Sequence, residues 1–132
     1  MKKFLLFLLL CVFLFGCHIK STTSAVKAVT EIDVQYRSDS TAFSRKYSTE
    51  VKMRPILNYL RWISPYGVPQ ENPDALAGDT YTITIHFSDN SEKVYLQKAN
   101  RYLQVDGQAW KLIDAENART LSRIINEMES DI

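Results

Sequence analysis

The chain has 132 residues, of which 16 are basic and 15 acidic, so its formal net charge at pH 7 is +1. This length allows one small domain and not two. The two cysteines, Cys11 and Cys17, both lie near the amino terminus. If that terminus is processed as described below, the domain keeps no thiol for a disulfide, a metal or a nucleophile. Its own core must then hold it together.

The amino terminus has the pattern of a secretory signal peptide. Lys2 and Lys3 precede an unbroken apolar run over residues 4–15, and the small residue Gly16 follows. The run is shorter than the roughly 20 apolar residues that cross a bilayer. We therefore predict a cleaved signal peptide over residues 1–16 rather than a membrane anchor.

Residues 14–17 read Leu-Phe-Gly-Cys, which resembles the lipobox of bacterial lipoproteins. The resemblance implies cleavage before Cys17, acylation of its thiol with chains such as palmitate, and a lipid anchor in the cell membrane on its extracytoplasmic side. His18 follows instead of aspartate, so the outer membrane is expected if the source has one. An exported protein does not meet nucleic acid, and the membrane is its first partner. We interpret residues 17–28 as a flexible lipidated tether and residues 29–132 as a single domain.

A strand, a possible short edge strand and a helix are predicted in the first half of the domain. Residues 30–36 alternate between polar and apolar, as in a half-buried strand, and residues 42–47 are compatible with a short edge strand. Apolar residues at helical spacing then predict a helix that begins near Lys52 and ends before Pro65. Pro55 would lie in its first turn, where a missing amide donor costs little.

The second half predicts a four-strand antiparallel meander and a final helix. Residues 81–87 alternate between apolar and polar, and Val94 and Leu96 resume the apolar face after a turn. Asp114 is a suitable N-cap for the final helix. The order strand, helix, meander, helix predicts an α+β fold, with an antiparallel sheet of about five strands and two helices on one face.

An Asp-Gly pair at positions 106–107 predicts a two-residue hairpin loop within the meander. Type I′ turns need positive φ at both central residues, and this dipeptide tolerates it. With that loop Leu103 would face Trp110 and Tyr102 would face Lys111. The sequence therefore predicts both the turn and the register of the last hairpin.

The sequence predicts no catalytic site, no cofactor and no metal site. His86 is close to Ser88 and Asp89 in sequence, which suggests a catalytic triad. However, His86 and Ser88 are two residues apart on one strand face, without a nucleophile elbow or an oxyanion donor set. One histidine in the domain and no thiol argue against zinc. We therefore expect a protein that is not an enzyme.

The sheet face opposite the helices is the main candidate binding surface. Tyrosines among polar and cationic residues are typical of protein interfaces, although they also suit a solvent-facing sheet. The residues proposed for this binding face are Thr84, His86, Tyr95, Tyr102 and Lys111. The proline-containing loop Pro65–Gly78 is a second candidate, and the choice between the two stays open.

Basic residues are concentrated between Arg37 and Arg61. Such a segment on a tethered protein could face anionic lipid headgroups or anionic wall polymers. The alternative is an ordinary solvated helix with its preceding loop, which needs no partner.

Residues 80–129 resemble uncharacterised small lipoproteins of the YhfM-like kind. The resemblance rests on Tyr-Thr-Ile-Thr-Ile at 81–85, the Asp-Gly turn and the Trp110-Lys111 pair. It implies an exported α+β domain without catalytic residues. We expect a membrane-tethered, non-enzymatic module that binds an envelope protein or an anionic wall polymer. The alternative is an immunity or inhibitor lipoprotein that blocks an exported toxin or hydrolase.

Overall fold

The computed structural model describes residues 27–131, and within them a six-stranded antiparallel sheet carries two helices on one face. The predicted signal peptide, Cys17 and most of the predicted tether lie outside the described residues. In chain order the elements are β1 Val29–Arg37, β2 Ala42–Tyr47, α1 Glu50–Trp62, a 3-10 turn Pro73–Ala75, β3 Thr80–Phe87, β4 Glu92–Lys98, β5 Tyr102–Val105, β6 Lys111–Leu112 and α2 Ala115–Glu127. The predicted α+β class is confirmed.

The sheet has the spatial order β2-β1-β3-β4-β5-β6, with every neighbouring pair antiparallel. The possible edge strand over residues 42–47 forms, so the sheet has six strands. β1 lies between β2 and β3, because the chain passes through α1 before it returns to the sheet. Ile32 and Val34 of β1 are completely buried beneath the helices. The polar residues that alternate with them therefore lie on the opposite, open face.

Helix α1 begins two residues earlier than predicted, at Glu50, so Pro55 lies in the second turn and not the first. The Thr49 carbonyl already accepts hydrogen bonds from the amides of Lys52 and Met53, which starts the helix before Lys52. Proline at position 55 leaves the carbonyl of Val51 without its usual donor. Val51 is exposed, so water can reach this carbonyl at little cost.

The side chains of strand β4 point to the opposite faces of the sheet from those predicted. Ile83 of β3 pairs with Tyr95, and directly opposed residues share a face, so Tyr95 lies on the helix side. Val94 and Leu96 consequently lie on the open face, contrary to the prediction from hydropathy. The turn before β4 decides this, since Asn90 adopts φ 66° and its amide donates to the Phe87 carbonyl.

The same register buries a polar side chain, that of Gln97. It is only 1% exposed, because it lies opposite Tyr81 on the helix side of the sheet. Its side-chain carbonyl accepts the Tyr59 hydroxyl, and its amide donates to the Ala118 carbonyl at 3.1 Å. One side chain thus ties β4 to both helices, which offsets the cost of burying an amide.

The last hairpin has the predicted turn but a different register. Asp106 and Gly107 have φ of 50° and 70°, and the Gln108 amide donates to Val105 across the two-residue loop. Beyond the turn, however, Tyr102 pairs with Leu112 and Leu103 with Lys111, one residue further along than predicted. This slip moves Lys111 to the helix side of the sheet.

Candidate functional site

The predicted binding-face residues divide between the two faces of the sheet. Thr84, His86 and Tyr102 lie on the open face, as predicted. Strand pairing places Tyr95 opposite Ile83 and Lys111 opposite Leu103, so both lie on the helix side. The predicted face is therefore corrected at these two positions, and it never forms a continuous tyrosine surface.

Tyr102 is only 2% exposed although it lies on the open face, because the loop Pro65–Gly78 covers it. The Tyr102 hydroxyl donates to Glu71, which together with burial raises the pKa of Tyr102. Further along the loop, the Trp110 indole donates to Asp74 at 3.1 Å. The loop and the open face, treated as alternatives in the sequence, are thus one continuous surface.

Tyr66 fixes the start of this loop to the sheet. Its amide and carbonyl exchange hydrogen bonds of 2.9 Å with the backbone of Leu112, which protects the outer edge of β6. The Tyr66 side chain itself remains exposed, as does that of Val68. The loop is therefore a fixed wall of the open face and not a free connector.

An open groove of about 850 Å³ occupies the other side of that wall. Its floor is the open face of β1, β2 and β3 where β1 ends, and its wall is the segment Leu76–Gly78 of the loop. The polar open-face side chains of the strands that line it are Gln35, Arg37, Ser44, Thr80, Thr82 and Lys98. The groove therefore offers two cations together with amide and hydroxyl groups.

A cluster of carboxylates around His86 lies at the opposite end of the open face. His86 Nε2 is 2.8 Å from an Asp33 carboxylate oxygen, and Nδ1 is 3.3 Å from Glu92. Glu31 is the direct cross-strand partner of His86 on β1. Ligand atoms of Glu31, Asp33 and His86 all lie within 4.8 Å of one another. We call Glu31, Asp33, His86 and Glu92 the histidine cluster.

The sequence identified His86 but not its partners. Asp89, the carboxylate nearest to it in sequence, instead accepts two hydrogen bonds from Ser91 and pairs with Lys27 at 3.0 Å. These contacts lower the pKa of Asp89 to about 2. Asp89 thus stabilises the β3–β4 turn. The signal that finds Glu31 and Asp33 is their position on the polar side of β1, once β1 is known to pair with β3.

The histidine cluster is not arranged for nucleophilic catalysis. Both ring nitrogens of His86 already face carboxylates, and among residues 27–131 no hydroxyl hydrogen-bonds to the ring. A general base needs a free nitrogen within reach of the proton that it removes. The cluster therefore suits a cation better than a nucleophile.

Comparison with known proteins adds no further constraint. The chain gives no significant match to protein-family models, to curated proteins or to solved structures. None of the helices between residues 27 and 131 is long and apolar enough to cross a membrane.

Proposed function

We propose that this protein is a non-enzymatic binding module of the cell envelope, anchored by lipid on Cys17. It would capture an anionic wall polymer in the groove of the open sheet face. The lipobox-like residues 14–17 support the proposed lipid anchor in the cell envelope. The single observation that supports the binding role is the groove itself, which has hydrogen-bonding groups and two cations along its floor.

The cations of the groove are spaced to follow a chain of negative charges. Arg37, Thr80 and Lys98 are opposed in turn across β1, β3 and β4. Neighbouring strands lie about 4.8 Å apart, so Arg37 and Lys98 are about 10 Å apart at the backbone. Asp39 is the only acidic residue of the lining. A polymer with repeated phosphate or carboxylate groups fits this row, with the Thr80 hydroxyl between two of its charges.

The groove is also clear of the point where the predicted tether joins the domain. The tether reaches β1 at Val29, whereas the groove lies beside Arg37 at the other end of the strand. Eight residue steps of about 3.4 Å separate them by about 27 Å. This separation leaves room for a polymer strand to cross the domain without meeting the anchored end.

Charge reversal tests the proposal. Arg37→Glu with Lys98→Glu should weaken binding of full-length protein, in detergent, to poly(glycerol phosphate) by about tenfold or more, because each charge contact is worth about 1 kcal/mol. The matched control is Arg61→Glu with Arg119→Glu, which alters net charge equally at exposed helix positions. The binding isotherm, measured by fluorescence anisotropy at two salt concentrations, gives both affinity and salt dependence.

Equal weakening by both double variants, or by neither, would contradict a specific groove. A photo-crosslinker at Ser44, within the groove, identifies in cells whether the partner is a wall polymer or a protein. Capture of wall polymer supports the proposal. Capture of an exported toxin or hydrolase instead would favour the immunity or inhibitor role and overturn the polymer assignment.

A further inference from the structure

We infer that Glu31, Asp33 and His86 form a binding site for a divalent metal ion of the zinc type, with Glu92 as the residue that orients His86. This site lies at the opposite end of the open face from the groove, and it does not depend on the proposed polymer. The sequence predicts no metal site because the domain has one histidine and no thiol; the carboxylates of a neighbouring strand come beside His86 only in the folded sheet.

The number of donors in the histidine cluster is the first argument. A neutral imidazole carries one N–H and one lone pair, so it can donate to one carboxylate only. His86, however, has a carboxylate oxygen 2.8 Å from Nε2 and another 3.3 Å from Nδ1. One of these two contacts therefore sets a lone pair against a negative oxygen unless a positive charge is added. A metal ion on Nε2 supplies that charge and turns the repulsive contact into shared coordination.

An unpaired oxygen of Asp33 is the second argument. Its Oδ1 is completely buried and, among the described residues, has no hydrogen-bond partner. Lys46 lies directly opposite Asp33 on β2, yet its ammonium makes no ion pair with any described carboxylate. Buried carboxylate oxygens without a donor are costly, and a coordinated cation removes that cost.

The spacing of the cluster fits coordination. Zinc binds nitrogen and carboxylate oxygen at about 2.0–2.2 Å, so its tetrahedral ligands are about 3.4 Å apart. The ligand atoms of Glu31, Asp33 and His86 already lie within 4.8 Å of one another. Small rotations of these side chains suffice, because all three stand on adjacent strands of a rigid sheet.

Glu92 is positioned to orient the His86 ring. Histidines that bind a metal usually donate their other N–H to a carboxylate, which fixes the ring. Glu92 lies directly opposite His86 on β4, with its Oε1 3.3 Å from Nδ1. The His86 and Asp33 side chains are 28% and 24% exposed, so solvent reaches the site and a fourth position remains for water or a partner's ligand. One imidazole with two carboxylates favours zinc-type ions over magnesium or calcium, which prefer oxygen ligands alone.

Titration of full-length protein with ZnCl₂, followed by isothermal calorimetry in detergent, tests the site. We expect one zinc ion per chain, and His86→Ala or Asp33→Asn should weaken its affinity by at least about tenfold. Glu92→Gln should weaken it by about tenfold while keeping the stoichiometry, since that residue does not touch the metal. The matched control is Asp89→Asn, which removes a nearby carboxylate from the turn and should leave zinc affinity unchanged.

Two readouts separate loss of the site from loss of the fold. Zinc should raise the melting temperature of the wild-type protein and of Asp89→Asn by several degrees, but not that of folded His86→Ala. Cobalt(II) should give the visible absorption of a tetrahedral nitrogen and oxygen site in the wild type and in Asp89→Asn, but not in His86→Ala. Absence of zinc binding by the wild type, or unchanged binding by His86→Ala, would overturn the inference.

Discussion

Removal of one hydroxyl from the core should measure how the sheet is joined to both helices. Tyr59→Phe deletes the donor to Gln97 and leaves a carbonyl oxygen buried without a partner. Burial raises the pKa of Tyr59, so its hydroxyl stays protonated and donates at neutral pH. An unsatisfied buried acceptor costs about 1–3 kcal/mol. For a domain of this size each kcal/mol lowers the melting temperature by about 4–8 °C.

A second substitution should recover most of that loss. In the double variant Tyr59→Phe/Gln97→Leu both polar partners become apolar, so no orphaned acceptor remains between them. The Ala118 carbonyl loses the Gln97 amide, but it lies within α2 and keeps the helical donor four residues on. Gln97→Leu alone should destabilise the protein, since it leaves the buried Tyr59 hydroxyl without an acceptor. The double variant should therefore be more stable than the sum of the single changes predicts, by about 1–2 kcal/mol.

Urea unfolding followed by circular dichroism measures all four corners of this double-mutant cycle. Tyr95→Phe is the matched control, because its hydroxyl makes no hydrogen bond with any residue of the described range and its ring packs against the same core. The control should change the unfolding free energy by less than about 0.5 kcal/mol. Strict additivity of the Tyr59 and Gln97 effects would refute the reasoning, since it would mean that the two side chains do not share a buried hydrogen bond.

Two further predictions concern the carboxyl-terminal tail and the last turn. Asp131 pairs with Lys52 and accepts the amides of Ser48 and Thr49, and these contacts hold its pKa below the usual range. Asp131→Asn should therefore lower the melting temperature by a constant amount above about pH 5. The difference between wild type and variant should shrink as pH falls towards 2, because protonation of Asp131 releases the tail in the wild type. A difference independent of pH would contradict this prediction. Gly107→Ala should cost about 1 kcal/mol in urea unfolding, since φ of 70° is strained for any residue with a Cβ, and an unchanged midpoint would argue against that turn.

Secondary structure could be predicted from the sequence because each element carries its own periodicity. The alternation in β1 and β3 and the apolar spacing in α2 predicted elements that the structure contains. The prediction of which residues face the core was wrong in β4. Val94 and Leu96 have the hydropathy of core residues, but Tyr95 and Gln97 occupy the positions that face the helices. The three-residue turn that includes Asn90 sets that register, and Tyr59 on a distant helix makes burial of Gln97 possible. Neither effect is visible in local hydropathy.

The histidine cluster could be predicted in part only. His86 is evident as the one histidine of the domain on the polar side of a strand, but its partners come from strands on both sides. Asp33 is separated from it in the chain by β2, α1 and the 3-10 turn, and becomes a neighbour because the chain returns to the sheet beside β1. Asp89 and Ser88, which are near in sequence, lie in the turn. Strand order, and not sequence distance, therefore determines which residues meet.

The folded structure also changes the meaning of the basic segment over residues 37–61. Arg45 donates to the Ile125 and Met128 carbonyls at the end of α2, Lys52 pairs with Asp131, and Arg54 pairs with Glu50. Three cations of this segment therefore have structural partners within the domain. Arg37 differs, because it joins Lys98 in the groove although the two are far apart in sequence. The binding role proposed above therefore depends on cations that strand pairing brings together, and not on one linear stretch of basic residues.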